Sequence, residues 1–322
     1  MLDEINKDSR VGLALKAAQL YYMQDLTMDA IGDELKVSRS SVSRLLQMAK
    51  DRGIIEFKLH PPEDGPTRMA SQIKARFGVN AHLVPVADSA SPIDRLDRVA
   101  LSAARMLTNF FYSGMTMGVA WGSTTAAVSR NLVPRPLRGS RVVQLNGAGN
   151  TFTTGVTFSG EILRRFGEAY GSNVEQFPVP AFFDNPAAKE MLWKERSTKR
   201  ILDIQARMDV ALFGLGASNS EVPSQVYTAG YLSPADLKAL DGEGIVGDIA
   251  TVFYRADGSS NDIDINKRST GPGLDVIRSV PRRICVIAGV NRLPSLRGAM
   301  AGKYISDLII DDGTAQALLD DE

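Results

Sequence analysis

The sequence predicts two domains of different class: an N-terminal all-α winged helix-turn-helix and a C-terminal α/β body, a mostly parallel sheet with helices on both faces. Three observations predict it. Helix-spaced apolar residues dominate up to about residue 60. His60-Pro61-Pro62-Glu63-Asp64-Gly65-Pro66 then gathers three prolines and a glycine, the composition of a stiff linker. Beyond it, short β-rich runs alternate with helical stretches to the C-terminus. The expected boundaries are a head over 1–60, a linker over 61–66 and a body over 67–322.

In the head, Leu13, Ala17, Leu20 and Tyr21 mark one face of a first helix. Thr27 is a capping residue for a second, whose apolar face is Met28, Ile31 and Leu35. After the short turn at Lys36-Val37, Ser38 caps a third helix over Arg39–Lys50 that buries Val42, Leu45, Leu46 and Ala49. Gly53 suits the left-handed position past a helix end, and Ile54–Leu59 alternates as a short wing strand. The outward residues of the third helix are Arg39, Ser40, Ser41, Ser43 and Arg44. Arginine bonds guanine O6 and N7 bidentately, and serine bonds phosphates or base edges. From Lys36 to Lys58 there are six basic and two acidic residues, a local excess of +4. Thr27, Ser38, Arg39, Ser40, Ser41, Ser43, Arg44 and Lys50 are therefore the candidate contacts to double-stranded DNA. A solvated helix in an adaptor that never touches DNA is the plainer alternative.

In the body, strands are expected at Ala81–Ala87, Thr116–Trp121, Arg141–Leu145, Asp209–Leu215, Ile249–Tyr254, Arg283–Ala288 and Ser306–Ile310. Helices are expected at Ile93–Tyr112, Thr124–Leu132, Val156–Phe166, Ala187–Ala206 and Pro234–Leu240. Runs such as Val210-Ala211-Leu212-Phe213 read as strands buried on both sides. Glycine-containing loops follow several strands: Gly118–Thr125, Leu145–Asn150, Leu212–Ala217 and Ala288–Arg292. In an open α/β sheet the carboxyl ends of the strands form the ligand crevice. Gly122-Ser123-Thr124-Thr125 brings amides, hydroxyls and a helix dipole to one spot, a good seat for a phosphate oxygen. The competing role is simple capping of the helix by Ser123 or Thr124.

Composition narrows the function. Lys plus Arg and Asp plus Glu both number 37, so no whole-surface polyanion binding is expected and only a local basic patch remains. The longest apolar stretch, about Ile284–Val290, falls far short of the ~20 residues of a membrane span. The acidic start, Met1-Leu2-Asp3-Glu4, is unlike a secretory leader. One cysteine, Cys285, and two histidines, His60 and His82, exclude an intrachain disulfide and the usual zinc ligand sets. The expectation is a cytoplasmic protein without metal or cofactor. No Walker or Rossmann glycine pattern is present, which disfavours nucleotide hydrolysis.

Across about residues 10–320 the chain resembles the SorC-type sugar-binding transcriptional regulators, whose body is similar to ribose-5-phosphate isomerase and glucosamine-6-phosphate deaminase. The matching stretches are Leu26–Ser38 with Val42–Leu46, Gly118–Thr124, Gly214–Ala217, Gly247-Asp248-Ile249, Asn266-Lys267-Arg268 with Gly271, and Ile305–Ala315. The resemblance implies a regulator of a carbohydrate or polyol catabolic operon, acting as a homodimer or homotetramer and controlled by a phosphorylated sugar or polyol. Carried onto this chain, it implies that Gly122, Ser123, Thr124 and Thr125 hold the phosphate and that Asn146 and Gly147 line the pocket. It further implies that Asp248 bonds sugar hydroxyls and that Arg268 approaches from the neighbouring loop. Where the family has Gly-Gly and then a Lys three residues on, this chain reads Gly289-Val290-Asn291-Arg292. Arg292 keeps the charge as a planar fork. Pro272-Gly273 follow Gly271 as an insertion. The alternative function is a sugar-phosphate isomerase or deaminase with Asp248 as general base.

Overall fold

The computed structural model describes residues 2–55, 66–217 and 224–320. The chain divides into two compact units, Met1–Pro62 and Glu63–Glu322. The first holds α1 (Leu2–Tyr22), α2 (Met28–Leu35) and α3 (Arg39–Asp51). Ala14, Ala17, Ala18 and Leu20 of α1 bury against Ile31 of α2 and Val42, Leu45, Leu46 and Ala49 of α3. Two local signals set the helix starts. Thr27 Oγ1 accepts from the Ala30 amide at 3.3 Å, and Ser38 Oγ from the Ser41 amide at 3.2 Å. Between α2 and α3, Lys36 turns the chain with φ +54°. The expected wing strand falls mostly outside the described residues, as does the linker at 61–65; Ile54 and Ile55 pack onto the head's core.

The second unit runs α4 (Pro66–Phe77), β1 (Asn80–Val84), α5 (Pro92–Met106), β2 (Thr116–Val119), α6 (Ser123–Arg130), β3 (Arg141–Gln144), α7 (Val156–Tyr170) and β4 (Asn173–Glu175). It continues with α8 (Pro186–Leu192), α9 (Arg196–Gln205), β5 (Val210–Phe213), α10 (Gln225–Thr228), α11 (Pro234–Gly242), β6 (Ile245–Ile249) and β7 (Val252–Arg255). The last elements are α12 (Leu274–Ser279), β8 (Arg282–Ile287), α13 (Leu293–Ala301), β9 (Asp307–Asp311) and α14 (Asp312–Asp320). Seven strands form a sheet of order β1-β9-β8-β5-β2-β3-β4, parallel at every pairing.

Alternation of side chains along the central strands divides the core in two. Val210, Leu212, Ile284, Val286 and Ile309 face α5, α6 and α7. Ala211, Phe213, Cys285, Ile287, Leu308 and Ile310 face α4, α12, α13 and α14. Both faces are thus covered, which is why these strands read as continuous apolar runs. Chain order reverses between β2 and β5, since β3 follows on one side of β2 and β5 on the other. That reversal opens a crevice above the carboxyl ends of those strands.

Three expectations need correction. Ile249–Tyr254 is not one strand but parts of β6 and β7, an antiparallel hairpin turning at Ala250-Thr251. The turn lacks the Gly or Asn that would have marked it in the sequence. Ala187–Ala206 is two helices, α8 and α9, because the chain is extended at Glu195. Trp193 anchors that break on Phe177 and Phe183, with ring centroids 5.7 and 6.0 Å away. The strand β4 escaped the sequence reading; at three residues it offers no period to detect.

Leu212 is fully buried at the middle of the sheet. Leu212→Ala is expected to lower unfolding stability by about 2–5 kcal/mol in chemical denaturation. A loss under about 1 kcal/mol would contradict a strand packed on both faces.

Candidate functional site

On the head, α3 presents Arg39, Ser40, Ser43, Arg44 and Lys50 to solvent, with Ser41 half-buried. Arg39 lies 3.9 Å from Asp29 of α2, and both side chains are 70% exposed. A pair so open is worth little and yields readily to a phosphate. Arg44 Nε donates to the Ser40 carbonyl at 3.3 Å, which lays its guanidinium along the exposed face. Thr27 and Ser38 are also exposed, but each has an oxygen engaged as a helix cap. Both therefore stand first as organisers of the motif.

In the body, a cleft of about 480 Å³, its open mouth included, lies where the chain order reverses. Its walls come from the ends of four parallel strands: Ala120–Thr125 after β2, Asn146 after β3, Gly214–Gly216 after β5 and Arg292 after β8. Ser224, Gln225 and Val226 from the start of α10 close one side, and Asp248, Ala250 and Thr251 of the hairpin close another.

The N-terminal turn of α6 forms one end of the cleft. Gly122 is the N-cap of α6 and carries no side chain to cap it. Ser123, Thr124 and Thr125 form the first turn, and Thr125 Oγ1 bonds the Gly122 carbonyl at 3.2 Å. The capping alternative is thus not realised, and the amide dipoles of this turn face the cleft. Arg292, whose charge bears on Asp248 at the hairpin side, is buried, and its Nη1 donates to the Leu215 carbonyl. Burial pulls its pKa below the ordinary arginine value, with Cys285, Asp248 and Tyr254 opposing.

The hairpin end attracts hydrogen-bond donors. Asp248 is 4% exposed. Its Oδ2 accepts from the Thr251 amide at 3.0 Å, while Oδ1 has no hydrogen-bond partner among the described residues. Asn146 Oδ1 is likewise buried and unpartnered. Desolvation pushes the Asp248 carboxyl up to about 6, held back by the Thr251 amide, the Tyr227 hydroxyl and the Arg292 charge. Gly216 accounts for the close approach of the hairpin: a Cβ there would stand 1.7 Å from Asp248 Oδ1. Backbone bonds of 2.9 and 3.3 Å join the same two residues.

Of the predicted effector residues, Gly122, Ser123, Thr124, Thr125, Asn146, Asp248 and Arg292 meet in this cleft. Gly147 and Arg268 do not. Gly147 sits under the Val179 and Pro180 carbonyls, and its amide donates to Thr270 Oγ1 at 3.0 Å. Arg268 pairs with Asp236 and borders a separate, wider groove with Phe152, Phe182 and Tyr231. Trp121 does line the cleft, with Nε1 donating to the Gly147 carbonyl at 2.7 Å and its ring stacked 5.0 Å from Tyr231. Ala250, Thr251 and the Ser224–Val226 wall were missed. Gly214 and Gly216 belong to a glycine loop and to a stretch that carries the family resemblance, without a site role of their own. Cys285 is fully buried, its thiol pushed up by desolvation, as an inert core residue would be. Among the described residues no group of His, Cys, Asp and Glu is placed to hold a metal, and no helix is long and apolar enough to cross a membrane.

Residues 62–320 match the family model described as "Putative sugar-binding domain". The chain belongs to this family of sugar-binding transcriptional regulators, of the SorC type. It is 34% identical over 312 residues to the deoxyribonucleoside regulator of Bacillus subtilis strain 168, covering 96% of this chain and 97% of that one. A solved domain of "a possible sugar-binding transcriptional regulator from Arthrobacter aurescens TC1" is 49% identical, with a TM-score of 0.75 over 81% of this chain and all of that one. The full-length sorbitol operon regulator of Klebsiella pneumoniae shares the fold at 23% identity, with a TM-score of 0.69 over 96% of this chain and 99% of that one. The protein is a transcriptional regulator with a sugar-binding body.

The buried carboxylate gives a pH prediction. Asp248 titrates near 6 in the folded chain, against about 3.9 unfolded. The unfolded chain releases the proton first, so this group makes stability fall as pH rises from about 4 to about 6, and the cost persists above that. Asp248→Asn is expected to gain roughly 2–3 kcal/mol over wild type at pH 7.5 and almost nothing near pH 4. Urea denaturation at the two pH values checks it; an equal difference at both would contradict the burial argument.

Proposed function

We propose that the body binds a phosphorylated sugar or polyol in the cleft between β2 and β5, and that this ligand controls operator binding by α3. The observation that carries the reading is the cleft's two-ended chemistry. At one end the α6 amides and three hydroxyls match a phosphate. At the other, two buried oxygens without partners, Asp248 Oδ1 and Asn146 Oδ1, ask for ligand O–H groups. The names of the similar regulators, a deoxyribonucleoside regulator and a sorbitol operon regulator, fit such an effector. The protein acts in the cytoplasm on a carbohydrate or polyol operon as a homodimer or homotetramer, matching the two-fold symmetry of operators.

One observation favours the enzymatic reading, namely an Asp248 carboxyl raised to about 6, within the useful range for a general base. His82, on the edge strand β1, does not line the cleft. Release of an isomerised product from ribose 5-phosphate would establish catalysis. Binding without turnover is expected.

A thermal-shift panel pairing sugar and polyol phosphates with their dephosphorylated forms tests the cleft. A phosphorylated effector at ~100 times its Kd adds about 2.7 kcal/mol. Thr124→Val is expected to abolish the shift and Arg268→Ala to keep it. Stabilisation by the dephosphorylated form alone, or a full shift in Thr124→Val, would sink the proposal.

DNA binding is tested by gel shift on the region upstream of the protein's own operon. Arg39→Ala and Arg44→Ala are each expected to weaken binding by about 1–3 kcal/mol. The salt slope drops by about 0.9 for whichever contacts phosphate. Affinities equal to wild type in both variants would remove α3 as the reading helix.

A further inference from the structure

We propose that Thr251 is a positioning residue of the cleft: the buried turn it forms with Ala250 holds one oxygen of Asp248 and thereby fixes the carboxylate in the cleft wall. The inference rests on the cleft being the effector site and deepens that reading.

Ala250 and Thr251 form the two-residue turn between β6 and β7 with φ of +48° and +69°. Both are left-handed, as in the type I′ hairpin turn that normally takes Asn-Gly or Asp-Gly. For β-branched threonine a positive φ is a true outlier, and such conformations persist only when their surroundings over-determine them. The surroundings do so here. The turn is 6% and 1% exposed at its two residues. Thr251 Oγ1 donates to the Ala250 carbonyl at 2.5 Å, which leaves it to accept from Ser269 Oγ at 3.0 Å. Gly271 lies so close that a Cβ on it would meet the Ala250 carbonyl oxygen at 1.9 Å.

The strained turn has a definite product. It directs the Thr251 amide at Asp248 Oδ2, 3.0 Å away. A carboxylate pinned at one oxygen does not rotate, so Asp248 keeps its place in the wall of the cleft with Oδ1 packed on Gly216. A glycine in place of Thr251 would relieve the backbone but lose the hydroxyl that ties the turn to Ser269. The groups whose charge or hydroxyl bears on Asp248 are Tyr227 from α10, Tyr254 from β7 and Arg292 beyond β8.

The test follows the Asp248 carboxyl directly by carbon NMR in the full-length protein labelled at aspartate, with the signal assigned by its loss in Asp248→Asn. Thr251→Gly and Ser269→Ala are expected to loosen the amide bond and raise the titration midpoint by about half a pH unit or more. Thr251→Ser, which keeps the hydroxyl, restores the wild-type midpoint. In calorimetry Thr251→Gly is expected to lose about tenfold in affinity for ribose 5-phosphate as probe, a loss of about 1.4 kcal/mol, and none for inorganic phosphate, which needs only the α6 end. An unmoved midpoint in both Thr251→Gly and Ser269→Ala overturns the proposal, as does a Thr251→Ser variant as impaired as Thr251→Gly. The carboxyl titration needs no ligand, so it decides the positioning even if wild type binds neither probe, a result that would instead defeat the effector reading.

Discussion

The backbone pairing of Gly216 with Asp248 is the contact on which the body's chemistry depends. It joins the end of β5, at the centre of a parallel sheet, to the first strand of a small antiparallel hairpin. Two hydrogen bonds at 2.9 and 3.3 Å hold the join. A side chain at Gly216 would collide with the carboxylate it brings in. Without this contact the crevice between β2 and β5 would have its amide-rich rim but no acidic wall. With it, the N-terminal turn of α6 and the Asp248 carboxyl line one small volume.

Opposite polarities at so short a range need rigid support, and the fold supplies it by burial. Asp248 and Arg292 are both largely removed from water, and desolvation moves their titrations in opposite directions, each away from its charged form. Removing water weakens charge on isolated groups but strengthens each directed bond to a ligand. Two unpartnered acceptors, on Asn146 and Asp248, are costly to bury.

The head works on the reverse principle. Its functional groups sit in high dielectric, where the Arg39–Asp29 pair contributes little. Rigidity comes from beneath, through an alanine-rich α1 that lets α2 and α3 pack closely. Serine and threonine serve twice there: as caps at Thr27 and Ser38, and as small donors along the exposed face at Ser40 and Ser43. The sole Arg of the exposed face beyond the first turn, Arg44, is oriented by its own helix backbone.

Local chemistry by itself determined much of this protein. Period and capping placed α2 and α3 and their buried faces, because those signals act within a few residues. Both-sided burial of Val210–Phe213 was legible as an unbroken apolar run, and Gly122 followed by three hydroxyls was legible as the start of a helix at a strand end. Tertiary structure alone decided which loops share a crevice, since strand order fixes that and no local pattern encodes order. It brought Arg292 and Asp248 together across dozens of residues and sent Arg268 to Asp236, an ion-pair choice set by the path of α11. It also created the Ala250-Thr251 turn, where long-range contacts from Ser269 and Gly271 override the backbone preference of the residues themselves.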